Sequence, residues 1–271
     1  MKTNKINALV PKNISLFRII FSLTSILLLI GCSLPFSKDT DRSKTGESLG
    51  DLSPPSVETQ FNLKLPDALQ KSEKVTLEIL DEVTGLPFNS IRFDLESRDD
   101  GTYTITRSFP SGSVIKYRYL KIDEEDAEEV IPEATVDGKP IRYRMLYALD
   151  NGMVTDILQS WQDEVSSMDT GKLTGVLLDR ETDLPIPDVV VSAGGHLTFT
   201  DANGNFTIKG LPSGVNNVVF YHIDGRYRTY QQGALIEAGM ITPANLSLLT
   251  PSQVDVTFIV NAPSDALGAP I

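Results

Sequence analysis

The sequence is poor in the residues that most often carry chemistry. Its 271 residues include one cysteine, one tryptophan and two histidines. One cysteine cannot close an internal disulfide. Neither His196 nor His222 opens an H-x-x-E or H-E-x-x-H pattern, so zinc-protease chemistry has no ligand set and no metal site is expected. Basic residues are scarce as well: 24 Lys and Arg stand against 36 Asp and Glu, a formal charge of -12. Four of the basic residues (Lys2, Lys5, Lys12 and Arg18) lie in the first 31 positions, which hold no acid, so the rest of the chain sets 20 against 36, or -16. Nucleic-acid binding relies on Lys and Arg displacing counterions, and a chain this acidic is not expected to bind nucleic acid. Long helical periodicity is missing too, outside the N-terminal segment.

What is present begins with that segment. A basic stretch precedes "IIFSLTSILLLI" (19–30), an apolar run of 12 residues. As a helix it rises about 18 Å against a hydrocarbon core of about 30 Å, too short for a comfortable span, and it reads as a secretory signal. The tetrapeptide Leu29-Ile30-Gly31-Cys32 resembles the lipobox of bacterial lipoproteins. The resemblance implies that residues 1–31 are removed and that Cys32 carries a diacylglyceryl thioether as the mature N-terminus. The alternative is an uncleaved anchor helix with an incidental cysteine. At about 0.8 kcal/mol per buried methylene, two or more acyl chains anchor stably where one does not. The chain is therefore expected outside the cytoplasm, partnered with a bacterial cell membrane or outer membrane; Ser33 after the cysteine favours the outer membrane by the lipoprotein sorting rule.

Residues 33–56 are rich in Ser, Asp, Gly and Pro and read as a flexible linker, spanning about 25 to 30 Å as a coil. From Val57 the chain reads as short strands and turns. "VETQFNLKL" (57–65) sets Val57, Thr59, Phe61, Leu63 and Leu65 on one face. "KVTLEIL" (74–80), "YTITRSF" (103–109), "VIKYRYL" (114–120) and "IRYRMLYAL" (141–149) also read as strands, with "DDG", "PSG" and "DGKP" as turns. The expected fold class is all-β, with tandem β-sandwiches of the immunoglobulin or transthyretin type at 57–165 and 171–250. The closing segment 254–271 repeats the opening of the first block: Val57, Glu58, Phe61 and Pro66 match Val254, Asp255, Phe258 and Pro263 at an offset of 197. "DAL" (67–69) then matches "DAL" (265–267) after a one-residue insertion, which reads as the start of a further, truncated repeat.

The second block closely resembles the carboxypeptidase regulatory-like domain, a transthyretin-like sandwich. The likeness runs through Gly175, Asp179, Leu184-Pro185-Ile186, Val189-Val190-Val191 and "TDANGNFTIKGLPSG" (200–214). Asp201, Asn203 and Gly204 should make a tight turn, with Phe206 and Ile208 facing the core. Despite its name, the domain is a non-catalytic accessory module.

The first block is similar to a family 20 carbohydrate-binding (starch-binding) module in the order of its opening strand, "DDGTYTITRSFPSGSVIKYRY" (99–119), an acidic stretch and "DGKPIRYR" (137–144). Tyr103, Tyr117, Tyr119 and Arg142 fall where that family places its "DGTW", "YKY" and Asn-Arg elements. Its members bind glucans through exposed tryptophans that stack on sugar rings. Here Trp161 is near the end of the block and Phe88 stands about where one such tryptophan would be. The resemblance implies Phe88, Tyr103, Tyr117, Tyr119, Arg142 and Trp161 as ligand-binding candidates. Tyr221, Tyr227 and Tyr230 form a comparable cluster in the second block, and His222 reads as a surface residue at a strand end.

Several catalytic patterns are coincidences. "GESLG" (46–50) fits G-x-S-x-G inside the linker, where no strand-to-helix elbow can form. "SVIK" (113–116) fits S-x-x-K along a strand, which separates the two side chains. "DEEDAEEV" (123–130) reads as a solvated loop ahead of a calcium site, and "DANGN" (201–205) as a turn, since its Gly falls at the fourth position of a would-be calcium loop and not the sixth. No cofactor and no catalysis are expected. The leading reading is a membrane-anchored accessory protein that binds polysaccharide. The alternatives are a spacer or adhesion protein at the cell surface and the non-catalytic front of a larger secreted enzyme.

Overall fold

The computed structural model describes residues 54–126, 129–244 and 247–252. Cys32, the signal segment, most of the linker and the closing repeat at 254–271 lie outside the described residues. Within them the fold is all-β: two β-sandwiches in tandem.

The first sandwich opens with β1 (Ser56–Lys64), β2 (Glu73–Ile79), β3 (Ile91–Asp94), β4 (Glu96–Ser97) and β5 (Thr102–Pro110). It continues with β6 (Ser113–Asp123), β7 (Val130–Ala134), β8 (Arg144–Ala148), β9 (Gly152–Ile157) and β10 (Ser160–Trp161). One sheet runs β4-β5-β1-β9, with β9 parallel to β1; the other runs β10-β7-β6-β2-β3, with β8 also on β6. The alternation in β1 explains its place. Val57, Thr59, Phe61 and Leu63 are buried and point at the opposite sheet. There Phe61 meets Tyr117 edge-on at 5.1 Å, and Tyr117 meets Tyr119 at 5.9 Å. Such edge-to-face contacts add about 0.5–1.5 kcal/mol beyond area burial.

Strand β6 is longer than any partner on its far side. β8 pairs with its first half, from Ser113 to Tyr117, and β7 with its second half, from Leu120 to Ile122. Between them Tyr119 would lose its backbone acceptor, and the Glu133 carboxylate accepts the Tyr119 N–H at 3.1 Å instead. β8 is shorter than the pattern at 141–149 predicts. Residues 141–143 leave the ladder after Pro140, where the Ile141 N–H donates to Glu133 O at 3.1 Å. Of the acidic run at 123–130, Asp123 closes β6 and Val130 opens β7, while residues 127 and 128 lie outside the described residues.

The second sandwich holds β11 (Thr170–Asp179), β12 (Val189–Ala193), β13 (His196–Phe199), β14 (Asn205–Pro212), β15 (Gly214–His222), β16 (Tyr230–Ile236), β17 (Ile241–Pro243) and β18 (Ser247–Leu249). One sheet is β14-β11-β17 with β18 also on β11; the other is β13-β12-β15-β16. Leu173, Leu177, Val189, Val191, Phe206, Ile208 and Phe220 fill the space between them. The "DANGN" turn forms as its chemistry dictates. Asp201 Oδ1 accepts the N–H groups of Asn203 and Asn205, both at 2.8 Å, and holds the Asp201 carboxyl below the usual carboxylate range. Gly204 has φ +73°, and a Cβ there would collide with the Leu177 carbonyl oxygen.

One expectation fails here. His222 closes β15 but is buried, its ring tilted against Tyr227 at 5.3 Å and its Nδ1 facing the Asp224 carboxylate. The turn that follows folds back over it.

Candidate functional site

The residues singled out from sequence do not form one surface. Tyr117 and Tyr119 are fully buried, and both hydroxyls donate to Asp156 Oδ2 at 2.9 Å. Their ring faces are spent on the core, so neither offers a platform for a sugar. Trp161 is also buried, with the Lys121 ammonium 5.8 Å from its ring. Burial removes these three from the candidate ligand set. Tyr103 packs half-buried against the same core. Phe88 is 65% exposed on the β2–β3 connection, beside exposed Val83 and Leu86. The second-block tyrosines also part company. Tyr227 donates to Asp179 Oδ2 at 2.8 Å, and Tyr230 stacks on Phe220 at 6.0 Å.

Arg142 and Tyr221 do meet, in a groove of about 600 Å³ where the two sandwiches adjoin. From the first sandwich come Lys116, Arg142 and Tyr143; from the second come Val190, Phe199 and Tyr221. Each is placed by its element. Lys116 points out of β6, Arg142 and Tyr143 lie on the segment that leaves the sheet before β8, and Phe199 and Tyr221 sit at the ends of β13 and β15. The floor is apolar: Met145, Val190 and Val219 form a small core shared by the two sandwiches, with Tyr143 and Tyr221 against it.

A preorganised loop makes one wall. Asp81 Oδ1 accepts both the N–H and the hydroxyl of Thr84 at 2.7 Å, and the Asp81 N–H donates to Leu86 O at 3.1 Å. Gly85 (φ +64°) lies where a Cβ would strike the Tyr143 ring. Lys116 Nζ donates to Val83 O at 2.7 Å and Arg142 Nη2 to Thr84 O at 3.0 Å. Both cations lie beside the Tyr143 ring, at 5.3 and 5.5 Å from its centroid. Neither has an ion-pair partner among the described residues. Burial lowers the Lys116 pKa, and the like charge of Arg142 lowers it further, against the weaker opposing pull of Asp81 and Glu82. The groove thus combines aromatic faces, an apolar floor and two cations that hydrogen-bond to neutral carbonyls, with Asp81 and Glu82 near Lys116.

Sequence reasoning missed Lys116, noticed only within a coincidental S-x-x-K, along with Tyr143 and Phe199. No periodicity could have gathered them, because residues from two modules compose the groove. A second groove of about 670 Å³, between β9 and the β15–β16 pair, is lined by Met153, Val215 and the amides of Asn217, Gln231 and Gln232. Its lone charged side chain is Lys64, and it carries no aromatic residue. Among the described residues no three His, Cys, Asp or Glu side chains gather as a metal site.

No family model matches the chain, and no curated protein matches it. Among solved structures, a family 15 glucoamylase from Hypocrea jecorina is 17% identical over 41% of this chain with a TM-score of 0.31; the match spans only 18% of the glucoamylase. A minor pilin of Streptococcus agalactiae is 13% identical over 74% of this chain and 100% of its own, with a TM-score of 0.28. A shaft pilin of Lactobacillus rhamnosus GG is 11% identical over 74% of this chain and 100% of its own, with a TM-score of 0.25. Likenesses this low carry no functional argument.

Proposed function

We propose that the chain is a non-catalytic, extracytoplasmic lipoprotein that binds polysaccharide in the groove between its two sandwiches. The observation that carries the reading is the pairing of Tyr143, Tyr221 and exposed Phe199 with hydrogen-bonding Lys116 and Arg142 in one concavity. Aromatic faces stack on the apolar faces of sugar rings, while a few placed polar groups orient them. The lipobox-like Leu29-Ile30-Gly31-Cys32 supports the anchor. The likeness of the second block to a carboxypeptidase regulatory-like domain, and of the first to a starch-binding module, supports an accessory role without chemistry of its own. With Tyr117, Tyr119 and Trp161 in the core, the groove replaces the positions at which starch-binding modules stack their glucan.

Affinity electrophoresis of the full chain in gels cast with soluble starch and a panel of other glycans tests the binding. Retardation by at least one glycan is expected; unchanged mobility across the panel would sink the polysaccharide reading. Metabolic labelling with a palmitate analogue should be lost in Cys32→Ala, and persistent labelling would refute the anchor.

A spacer is the second reading, favoured by how firmly the sandwiches are joined. Besides the shared core, Asn217 Nδ2 donates to Met145 O at 3.2 Å and the Tyr147 N–H to Gln231 Oε1 at 2.7 Å. A spacer needs that junction and no ligand.

A further inference from the structure

The polysaccharide reading leaves open which sugars the groove prefers, and its cations bear on that. Neutral glucans present hydroxyls, which are served by amides and carboxylates as well as by cations. Here the two charged side chains that hydrogen-bond in the site, buried Lys116 and exposed Arg142, are both positive and adjacent. Lys116 keeps only 7% of its surface, yet its ammonium is held by a single neutral carbonyl. The Arg142 guanidinium spends one N–H on Thr84 O and is otherwise exposed, in a planar fork suited to a carboxylate. Glu82, on the rim, is the one acid among the lining residues. Two like charges side by side raise each other's energy, and an anion between them relieves both.

The overall charge of -12 does not oppose this. At physiological ionic strength charges beyond about 8 Å are largely screened, so an isolated anion in the groove responds to the near charges: Lys116 and Arg142, opposed by Asp81 and Glu82, whose effect on Lys116 is weaker than that of Arg142. A densely charged polymer would still meet the acidic surface outside. The volume of about 600 Å³ lies within the usual range for small-ligand sites, roughly 300–1,000 Å³.

We infer, on the premise that the groove is a glycan site, that it selects a sugar bearing a carboxylate. The carboxylate is bound by the Arg142 fork above the Lys116 ammonium, and the ring lies against Phe199 and Tyr221. A uronic-acid-containing glycan is the ligand class. The second groove, with its amides and no aromatic face, lacks this combination.

Isothermal titration of the full chain with trigalacturonate and with maltotriose tests the assignment. Trigalacturonate is expected to bind about tenfold or more tightly than maltotriose, and Arg142→Gln to weaken it by about tenfold. Arg142→Lys, which keeps the charge without the fork, should fall between. Unchanged Trp161 fluorescence in both variants serves as the folding control, and Phe199→Ala, at an exposed position, should weaken both sugars alike. Maltotriose binding as tightly as trigalacturonate would overturn the carboxylate preference and leave the polysaccharide reading standing. Trigalacturonate binding equally to Arg142→Gln would overturn the placement in this groove. Binding of neither sugar would overturn this inference alone if some other glycan retards the chain, and both readings if none does.

Discussion

The two sandwiches stabilise themselves by different means. In the first, a cluster of charge lies inside the fold. Arg144 grips Glu133 with Nε at 3.0 Å and Nη2 at 2.7 Å, and reaches Asp156 with Nη1 at 3.1 Å. Asp156 in turn accepts Tyr117 and Tyr119. One cation therefore serves two carboxylates, all buried. Burial pushes the Glu133 carboxyl up, and Asp156 adds to that while Arg144 pulls against it. The second sandwich fills its centre with Leu, Val, Ile and Phe, and its turn-forming carboxylates lie outside that cluster, Asp179 buried at the end of β11 and Asp201 exposed. The difference turns on one break in strand pairing. Each sandwich has a strand shared by two partners, β11 between β17 and β18 and β6 between β8 and β7, and at the break between β7 and β8 the Tyr119 N–H turns to a side-chain acceptor. The Glu133 carboxylate that fills it needs Arg144 in turn.

That contrast predicts unequal responses to mutation. The largest effect should come from Arg144→Met, which strands two buried carboxylates at a cost of about 3–5 kcal/mol. Urea unfolding followed by the fluorescence of Trp161, the chain's one tryptophan and part of the first core, reads this sandwich directly. A loss under about 1 kcal/mol would mean that water reaches the cluster. In the second sandwich the sharpest single change should be backbone strain. Gly204→Ala at φ +73° should cost about 1–3 kcal/mol, measured by hydrogen exchange of the β14 amides. An unperturbed exchange pattern there would show that the turn can re-form in another shape.

A subtler test uses acid. The folded pKa of Glu133 is raised above 4.5, so folding takes up a proton there. Its contribution to stability grows as pH falls from neutrality through that raised value, and is complete below about pH 4.5. Asp179 and Asp201 have folded pKa values below 3.8, lowered by hydrogen bonds from Tyr227 and from Asn205 respectively. Their contribution is present above 3.8 and lost as pH falls through the folded values. Glu78, whose carboxyl Arg118, Arg92 and Ser90 lower despite burial, opposes Glu133 within the first sandwich. The difference between wild type and Glu133→Gln isolates the residue: wild type should gain on the variant as pH falls from neutrality toward 4.5. A gain in the opposite direction would mean that Arg144 wins over burial.

The second sandwich was largely legible in its sequence, because Asp201, Asn203, Gly204, Phe206 and Ile208 encode their roles within a few neighbours. In the first, β1 was equally plain, but Glu133 and Arg144 were not. They are eleven residues apart in sequence, in a stretch where an acid and an arginine read as ordinary surface. Tyr117 and Tyr119 were placed on a strand correctly and assigned to a ligand wrongly, since alternation fixes a face without saying whether a second sheet covers it. The groove was least legible of all. Arg142 and Tyr221 were each noticed, but their meeting depends on how two modules abut.

The smallest predicted effect separates buried from exposed pairing within the first sandwich itself. Lys74 Nζ lies 2.9 Å from Asp94 Oδ2, closer than Arg144 Nη1 is to Asp156. Distance alone would rank it the stronger pair. Solvent reverses the ranking: the two side chains are 35% and 58% exposed, so water and salt screen the attraction and would rehydrate either charge left behind. Lys74→Ala should therefore change stability by no more than about 0.5 kcal/mol, and less in high salt. The Asp94 hydrogen bond raises the Lys74 pKa, so this small contribution is present below 10.5 and fades only as pH rises beyond it. A loss approaching that of Arg144→Met would mean that the edge beside β3 is covered by something that excludes water, and the contrast drawn from burial would no longer hold.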